Sequence, residues 1–299
     1  MTTWKLWRAL QTPPIKHPLF DRVTGKQAIR LSRLISMMGP VGITILIATF
    51  AVGIWYAPTA ILPTLFNPNV ALPLAFLLFT GTVYGLVWAA SISQIIMRMR
   101  MQGKYDLLCL SQPSALVINW VICTSYLYRN HSFTRISEQR AWITRLLLMI
   151  PVAMILPLLI GFVASEQQTG IMLLSTFVHI LALAAAFYID HVQSAVLGSL
   201  IGMNVPNHTR SETDSTIMAG LMFLVLQTFS YLAAWGVGFV LLPALYTLAQ
   251  ADGLLIEFSL PLARLMVFYL AREVFISLLW LRLVRQLQAT PAELDLLTI

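Results

Sequence analysis

Residues 34–97 read LISMMGPVGITILIATFAVGIWYAPTAILPTLFNPNVALPLAFLLFTGTVYGLVWAASISQIIM, and this stretch decides the fold of the chain. It contains no Asp, Glu, Lys or Arg, and prolines and asparagines interrupt it between residues 58 and 69. A bilayer with a hydrocarbon core about 30 Å thick requires about 20 apolar residues for each crossing helix. The stretch is therefore long enough for two spans joined by an uncharged turn.

The composition of the whole chain agrees with a lipid environment. Of 299 residues, 58% are hydrophobic and 10% are charged, whereas soluble domains carry about 25% charged residues. The net charge of +7 would suggest nucleic acid as a partner of a soluble protein. However, seven of the 19 Lys and Arg residues lie in 1–33 and seven in 98–145, beside the hydrophobic blocks. This distribution is typical of cytoplasmic loops and favours anionic lipids over nucleic acid as partners.

The charge map predicts an all-α polytopic protein of the plasma (inner) membrane, with both termini in the cytoplasm. Basic clusters at alternate ends of the apolar blocks set this orientation. The apolar stretch 115–128 is too short to span, so we expect it on the membrane surface. The six predicted transmembrane helices are residues 34–55, 72–97, 146–164, 171–200, 216–246 and 259–284.

The last three blocks are longer than a bilayer requires, and tilt, a break or a cytoplasmic extension can each absorb the excess. Gly236, Gly238 and Pro243 permit a kink or a re-entrant turn in the fifth block. Cys109 and Cys123 lie on the predicted cytoplasmic side, where we expect two unpaired thiols.

Two domains are predicted. Residues 1–33 form an amphipathic interfacial segment, because Trp4 and Trp7 stand beside Lys5 and Arg8 in the manner of a helix lying in the headgroup plane. Residues 34–299 form the six-helix transmembrane domain, which includes a long cytoplasmic segment at 98–145.

Ionisable residues inside predicted spans are candidate functional groups, because they are costly in lipid. The fourth span carries His179, Asp190 and His191, and the sixth carries Arg272 and Glu273. One interpretation is a proton relay or a polar substrate path, since His179 and Asp190 share nearly the same helix face. The other is an interhelical ion pair between Asp190 and Arg272, with Glu273 paired locally or with neighbours of Arg272.

The sequence predicts no metal site, no cofactor and no enzymatic activity. Asp190 and His191 are adjacent on a helix and point about 100° apart, which does not preorganise metal ligands. The Gly-Lys pairs at residues 25–26 and 103–104 lack the following Ser or Thr and the upstream glycine of a phosphate-binding loop. Any ATP hydrolysis linked to this chain would need a partner subunit.

The cytoplasmic stretch 98–113 reads RMRMQGKYDLLCLSQP. It resembles the pattern Glu-Arg-Glu-x-Gly-Thr-x-Glu-Leu-Leu, followed by Thr-Pro, of permease subunits of ABC exporters with the type 2 six-helix membrane domain. In this chain Met99 and Met101 stand where that pattern has glutamates. The residues that match it in order are Arg100, Gly103, Asp106, Leu107 and Leu108.

This resemblance implies a coupling helix that docks into a separate ATPase subunit, with Arg98 and the matched residues at the contact. It also implies a second permease copy or a paralogue, which together with this chain would enclose a transport path. The walls of that path would be mostly apolar and would suit a hydrophobic or amphipathic cargo. The alternative is a non-catalytic accessory or scaffold subunit of a larger membrane complex, respiratory or photosynthetic, built on a degenerate permease-like fold. An ATPase that copurifies in stoichiometric amounts distinguishes the two.

Overall fold

The computed structural model describes residues 1–11, 80–111, 114–129, 167–248 and 254–290. The chain has two compact units, and all of the described residues belong to the first, which comprises residues 1–24 and 80–299. The described ranges contain helices and no strands, which confirms the all-α class. The predicted spans 34–55 and 146–164 lie outside the described residues, as do 12–33 and 130–145.

The described helices match the predicted blocks in position. Residues Val205–Asn207 form a 3₁₀ turn after α5, and Gly236–Leu241 form a π-helical segment between α6 and α7. In chain order the helices are α1 (Thr2–Gln11), α2 (Thr80–Met101), α3 (Lys104–Ser111), α4 (Ala115–Arg129), α5 (Gln167–Asn204), α6 (Glu212–Trp235), α7 (Leu242–Leu248) and α8 (Leu254–Gln286).

Within the described residues, one helical stretch, Glu212–Leu248, is long and apolar enough to cross a membrane by length and composition. Only 28% of its most apolar window is buried, so it is not enclosed as a soluble core helix would be. This finding supports membrane association and leaves the six-span topology a prediction. The π-helical segment falls at Gly236 and Gly238, where a kink or re-entrant turn was expected, and the chain continues as a helix. Arg264 donates from Nε to the Gly238 carbonyl, at 3.1 Å.

Helices α2 and α5 pack through glycines on both sides of their contact. Gly81 and Gly85 are four residues apart on α2, and Gly198 and Gly202 are four apart on α5. A Cβ added at Gly198 would lie 2.5 Å from the carbonyl oxygen of Gly85, and one at Gly202 would lie 2.8 Å from the Cβ of Ile92. Small residues at this spacing allow two helix backbones to approach closely. Gly85 of α2 faces Gly198 of α5, and the later Ile92 of α2 faces the later Gly202 of α5. The two helices therefore run parallel.

Helix α4 belongs to the bundle core. Leu116, Ile118 and Ile122 are at most 1% exposed, and residues 118–125 are buried on every side of the helix. Trp120 packs edge-on against Trp280 of α8, with ring centroids 6.2 Å apart. The predicted location of residues 115–128 at the membrane surface stays a prediction. Neighbouring helices enclose this segment, because a helix too short to span can still be buried among its neighbours.

Helix α1 is amphipathic, as its sequence predicts. Its buried residues are Thr3, Leu6, Trp7, Ala9 and Leu10, and Lys5 and Arg8 are exposed. The helix packs against α5 and α8. Its predicted location in the headgroup plane stays a prediction.

Candidate functional site

A tight turn separates α2 from α3 at the segment that resembles a coupling helix. Gly103 has a φ of +67°, and its N–H donates to the carbonyl of Arg100 at 2.9 Å. Glycine suits this left-handed position because any Cβ would be strained there. The turn ends α2 and lets α3 begin one residue later, at Lys104.

Arg100 ties this turn to the connection between α5 and α6. Its Nη1 donates to the carbonyl of Pro206 at 2.9 Å, and its Nη2 donates to Oδ1 of Asn207. The same guanidinium lies 4.6 Å from the ring centroid of Tyr105, the second residue of α3. Burial raises the pKa of the Tyr105 hydroxyl, and the nearby Arg100 partly offsets that rise. Arg100 therefore connects three elements at one end of the bundle.

A second contact at the same end joins α2 to α6. Arg98 and Glu212 form an ion pair with Nη2 and Oε1 2.5 Å apart, and Gln94 donates to the same carboxylate oxygen at 2.8 Å. Hydrogen bonding to Glu212 raises the pKa of Arg98. Helix α6 begins here because Ser211 caps it, accepting from the N–H of Asp214 at 3.1 Å.

The outer side of α3 is open. Leu107 is 67% exposed, and Lys104 and Asp106 are also exposed. Leu108 faces the other way and packs against the core. Of the predicted docking residues, Asp106 and Leu107 are exposed on α3, Leu108 packs against the core, and Arg98 and Arg100 hold α2 to neighbouring elements.

The second predicted group, in the bundle interior, contains a buried ion pair. Nη2 of Arg272 on α8 lies 2.5 Å from Oδ1 of Asp190 on α5, and both side chains are 1% exposed. The predicted ion pair between these residues is confirmed. The Arg272 guanidinium also lies 4.6 Å from the ring centroid of Tyr231 and 4.9 Å from that of Phe268. A buried charge needs such compensation on several sides.

Neutral polar side chains extend this pair into a network across four helices. Tyr231 on α6 donates its hydroxyl to Oδ1 of Asp190 at 2.8 Å. Gln227, one turn earlier, donates to the hydroxyls of Thr82 on α2, at 2.8 Å, and of Ser194 on α5, at 3.2 Å. These four residues could not be identified as a site from the sequence, since none of them carries a charge.

The structure also locates the two predicted histidines of α5. Nδ1 of His179 is 2.8 Å from the Ser175 carbonyl of its own helix, eleven residues before Asp190. His191 packs among the rings of Trp7, Tyr84 and Trp88, with centroids 6.2 to 6.5 Å away.

Glu273 anchors the start of α1. It accepts from the N–H of Thr2 at 2.6 Å and of Thr3 at 3.3 Å, and also from the Thr3 hydroxyl. The hydroxyl of Tyr269, four residues earlier on α8, donates to it at 3.1 Å, which confirms a local partner. A carboxylate at a helix N-terminus satisfies free N–H groups and interacts favourably with the helix dipole. The contact with α1 was not expected from the sequence.

Within the described ranges, no group of three or more His, Cys, Asp or Glu is placed to hold a metal ion. The network can fix the mutual position of four helices, because its charged and neutral groups face one another. The end formed by α3 presents the exposed side chains of Lys104, Asp106 and Leu107. Comparison with known protein families, with curated proteins and with solved structures finds no match to this chain.

Proposed function

We propose that this chain is the membrane-spanning permease subunit of an ATP-driven exporter of the ABC type, in which a separate ATPase docks on α3. The observation that carries the proposal is the geometry of residues 98–111. The stretch that resembles a coupling segment forms a short helix set off by the Gly103 turn, with Leu107 exposed and Arg100 tied to the next connection. A helix in that position can pass a movement of its partner to α2, α5 and α6.

The helix directions support the proposed orientation. Arg98 at the end of α2 meets Glu212 at the start of α6, and Arg282 near the end of α8 meets His208 after α5. Helices α2, α5 and α8 therefore end where α6 begins, as the six-span map requires. Arg98, Arg100, Lys104, Arg282 and Arg285 gather at this end, and such an excess of cations is typical of the cytoplasmic side.

The exposed face of α8 supports the placement of the bundle in lipid. It carries a stripe of large apolar residues at intervals of three or four, each more than half exposed: Leu262, Met266, Leu270, Val274, Leu278 and Leu281. At about 1.5 Å per residue the stripe is about 29 Å long, close to the hydrocarbon thickness of about 30 Å. Arg282 follows it directly. On α6 the buried residues form a narrow face, and the opposite face exposes Ile217, Leu221 and Phe229.

The proposed arrangement places the protein in the plasma (inner) membrane, with the basic end of α8 on the cytoplasmic side. A second copy or a paralogue would complete the path for a hydrophobic or amphipathic cargo, and the apolar surfaces of α6 and α8 suit both lipid and such a partner. The chain itself would perform no ATP hydrolysis.

The test is purification of the tagged full-length protein from its native membranes, with quantification of any bound ATPase. We expect one ATPase per chain in the wild type, lost in Leu107→Glu and in Asp106→Lys. Leu248→Glu is the matched control, because Leu248 is also highly exposed, at 80%, but lies at the end of α7. An intact wild-type protein without ATPase would refute the proposal.

A second candidate function is the accessory or scaffold subunit. The buried ion pair and the glycine contacts between α2 and α5 favour it, because both join helices rigidly. Stable association of the purified protein with a redox complex, in the absence of an ATPase, would establish this candidate instead.

A further inference from the structure

An open cleft at the basic end of the bundle lies where the apolar stripe of α8 stops. It is lined by His208, Leu278, Leu281, Arg282, Arg285 and Gln286. Leu278, Leu281, Arg282 and Arg285 follow one another at intervals that place them on one face of α8. The two leucines are 57% and 51% exposed, and both arginines are exposed. The cleft thus has an apolar side toward the stripe and a cationic side toward the helix end.

The polar side of the cleft has more donors than acceptors. Nη2 of Arg282 lies 3.2 Å from Nε2 of His208, and Nε2 of Gln286 lies 3.4 Å from the same nitrogen. Arginine is always a donor, so His208 accepts here, and its single lone pair cannot satisfy both neighbours. None of the six lining residues is acidic. Among the described residues, His208 is the single acceptor that either guanidinium group meets, so most of their N–H groups can bond a ligand in the cleft.

We infer that this cleft binds the headgroup phosphate of an anionic phospholipid, with an acyl chain along Leu281 and Leu278. Guanidinium groups form paired, charge-assisted hydrogen bonds with phosphate oxygens. The stripe on α8 begins with these leucines and is about 29 Å long in all, so the acyl chain has an apolar surface to follow from the headgroup into the bilayer. His208, from the α5–α6 connection, positions Arg282 for this contact. The inference rests on the membrane placement proposed above and is independent of an ATPase partner.

The test is titration of the purified full-length protein in detergent with phosphatidylglycerol and, separately, with phosphatidylcholine, with bound lipid counted by native mass spectrometry. We expect phosphatidylglycerol to bind the wild type and the double variant Arg282→Gln with Arg285→Gln to bind it about 30-fold more weakly, the usual contribution of two cations near a membrane surface. Arg210→Gln is the matched control, because Arg210 is an exposed cation near His208 in sequence that does not line the cleft. We expect wild-type binding in this control.

Four outcomes would overturn the inference: unchanged binding in the double variant, an equal loss in Arg210→Gln, equal binding of phosphatidylcholine, or displacement of the lipid by millimolar inorganic phosphate. If the double variant does not fold, photoactivatable phosphatidylglycerol on the wild-type protein gives an independent measurement. Labelling of the peptide that contains Leu278 and Leu281 supports the site, and labelling confined to other peptides overturns it. Loss of a bound ATPase changes none of these results, so this inference can fail without the proposed function failing.

Discussion

Replacing Asp190 with asparagine removes the carboxylate that compensates Arg272 and keeps nearly the same side-chain volume. Arg272 would remain 1% exposed and fully charged. Its other polar contacts are weak: the carbonyl of residue 190 at 3.3 Å and the Ser194 hydroxyl at 3.4 Å. The faces of Tyr231 and Phe268 would also remain.

The expected loss follows from these contacts. Removing one partner of a buried ion pair costs about 3–5 kcal/mol of unfolding free energy, because the other charge is left uncompensated. Two aromatic faces offset part of this cost, at about 1–2 kcal/mol for a desolvated cation. We therefore expect Asp190→Asn to lower the free energy of unfolding by about 3 kcal/mol. Replacing both partners, Asp190→Leu with Arg272→Met, removes the uncompensated charge and should restore most of that loss.

The assay is equilibrium unfolding of the full-length protein in mixed micelles, followed by circular dichroism. Glu212→Gln provides a matched control, since it makes the same chemical change at the exposed pair with Arg98, where we expect little effect. Two results would refute the reasoning. One is a free energy for Asp190→Asn within about 0.5 kcal/mol of the wild type, the range of ordinary surface substitutions. The other is a double variant as unstable as the single one.

Three further predictions concern other parts of the fold. Gly198→Val should lower the unfolding free energy by about 1–3 kcal/mol or more, because its Cβ would meet the Gly85 carbonyl at 2.5 Å; equal unfolding curves would contradict the close contact of α2 and α5. Burial raises the pKa of Cys123 to about 12 and also raises that of Cys109, so less thiolate is present on either residue at a given pH. Maleimide at pH 8 should therefore label Cys109 slowly and Cys123 only after unfolding. Rapid labelling of Cys123 in the folded protein would contradict its burial. Glu273→Gln should weaken the docking of α1 by about 1.5 kcal/mol, seen as faster hydrogen exchange in residues 2–11, and unchanged exchange would show that its apolar face alone holds α1.

The helices could be located from the sequence because apolar blocks and their charged ends set the helix positions. The block predicted at 259–284 corresponds to α8 at Leu254–Gln286, since helical hydrogen bonding continues past the apolar block on both sides. The burial of α4 among its neighbours could not be predicted in this way. A length rule tells whether a segment can cross the bilayer, and it carries no information on burial among neighbouring helices.

Charges were also the predictable part of the interior site. Asp190 and Arg272 each require a partner in an apolar surrounding, so opposite charges on two spans predict a pair. Gln227 and Tyr231 could not be assigned, because a neutral polar side chain carries no such requirement and its partners depend on helix rotation. The partners of Glu273 are backbone N–H groups, which no side-chain pattern reveals. The contact of α2 with α5 was not predicted, although the spacing of four between Gly81 and Gly85 and between Gly198 and Gly202 is typical of close helix packing.

The two polar systems of the bundle have different consequences for movement. The interior network joins α2, α5, α6 and α8 through buried groups, and the glycine contacts keep α2 against α5. At the basic end the contacts are more exposed, and Arg100 touches both α3 and the α5–α6 connection. A partner that displaces α3 would therefore act first on Arg100 and on the end of α2. Because α2 and α5 are locked by backbone contact, the displacement would move both helices as one body. Helix α6 would follow them, because Gln227 and Tyr231 join it to both through buried hydrogen bonds.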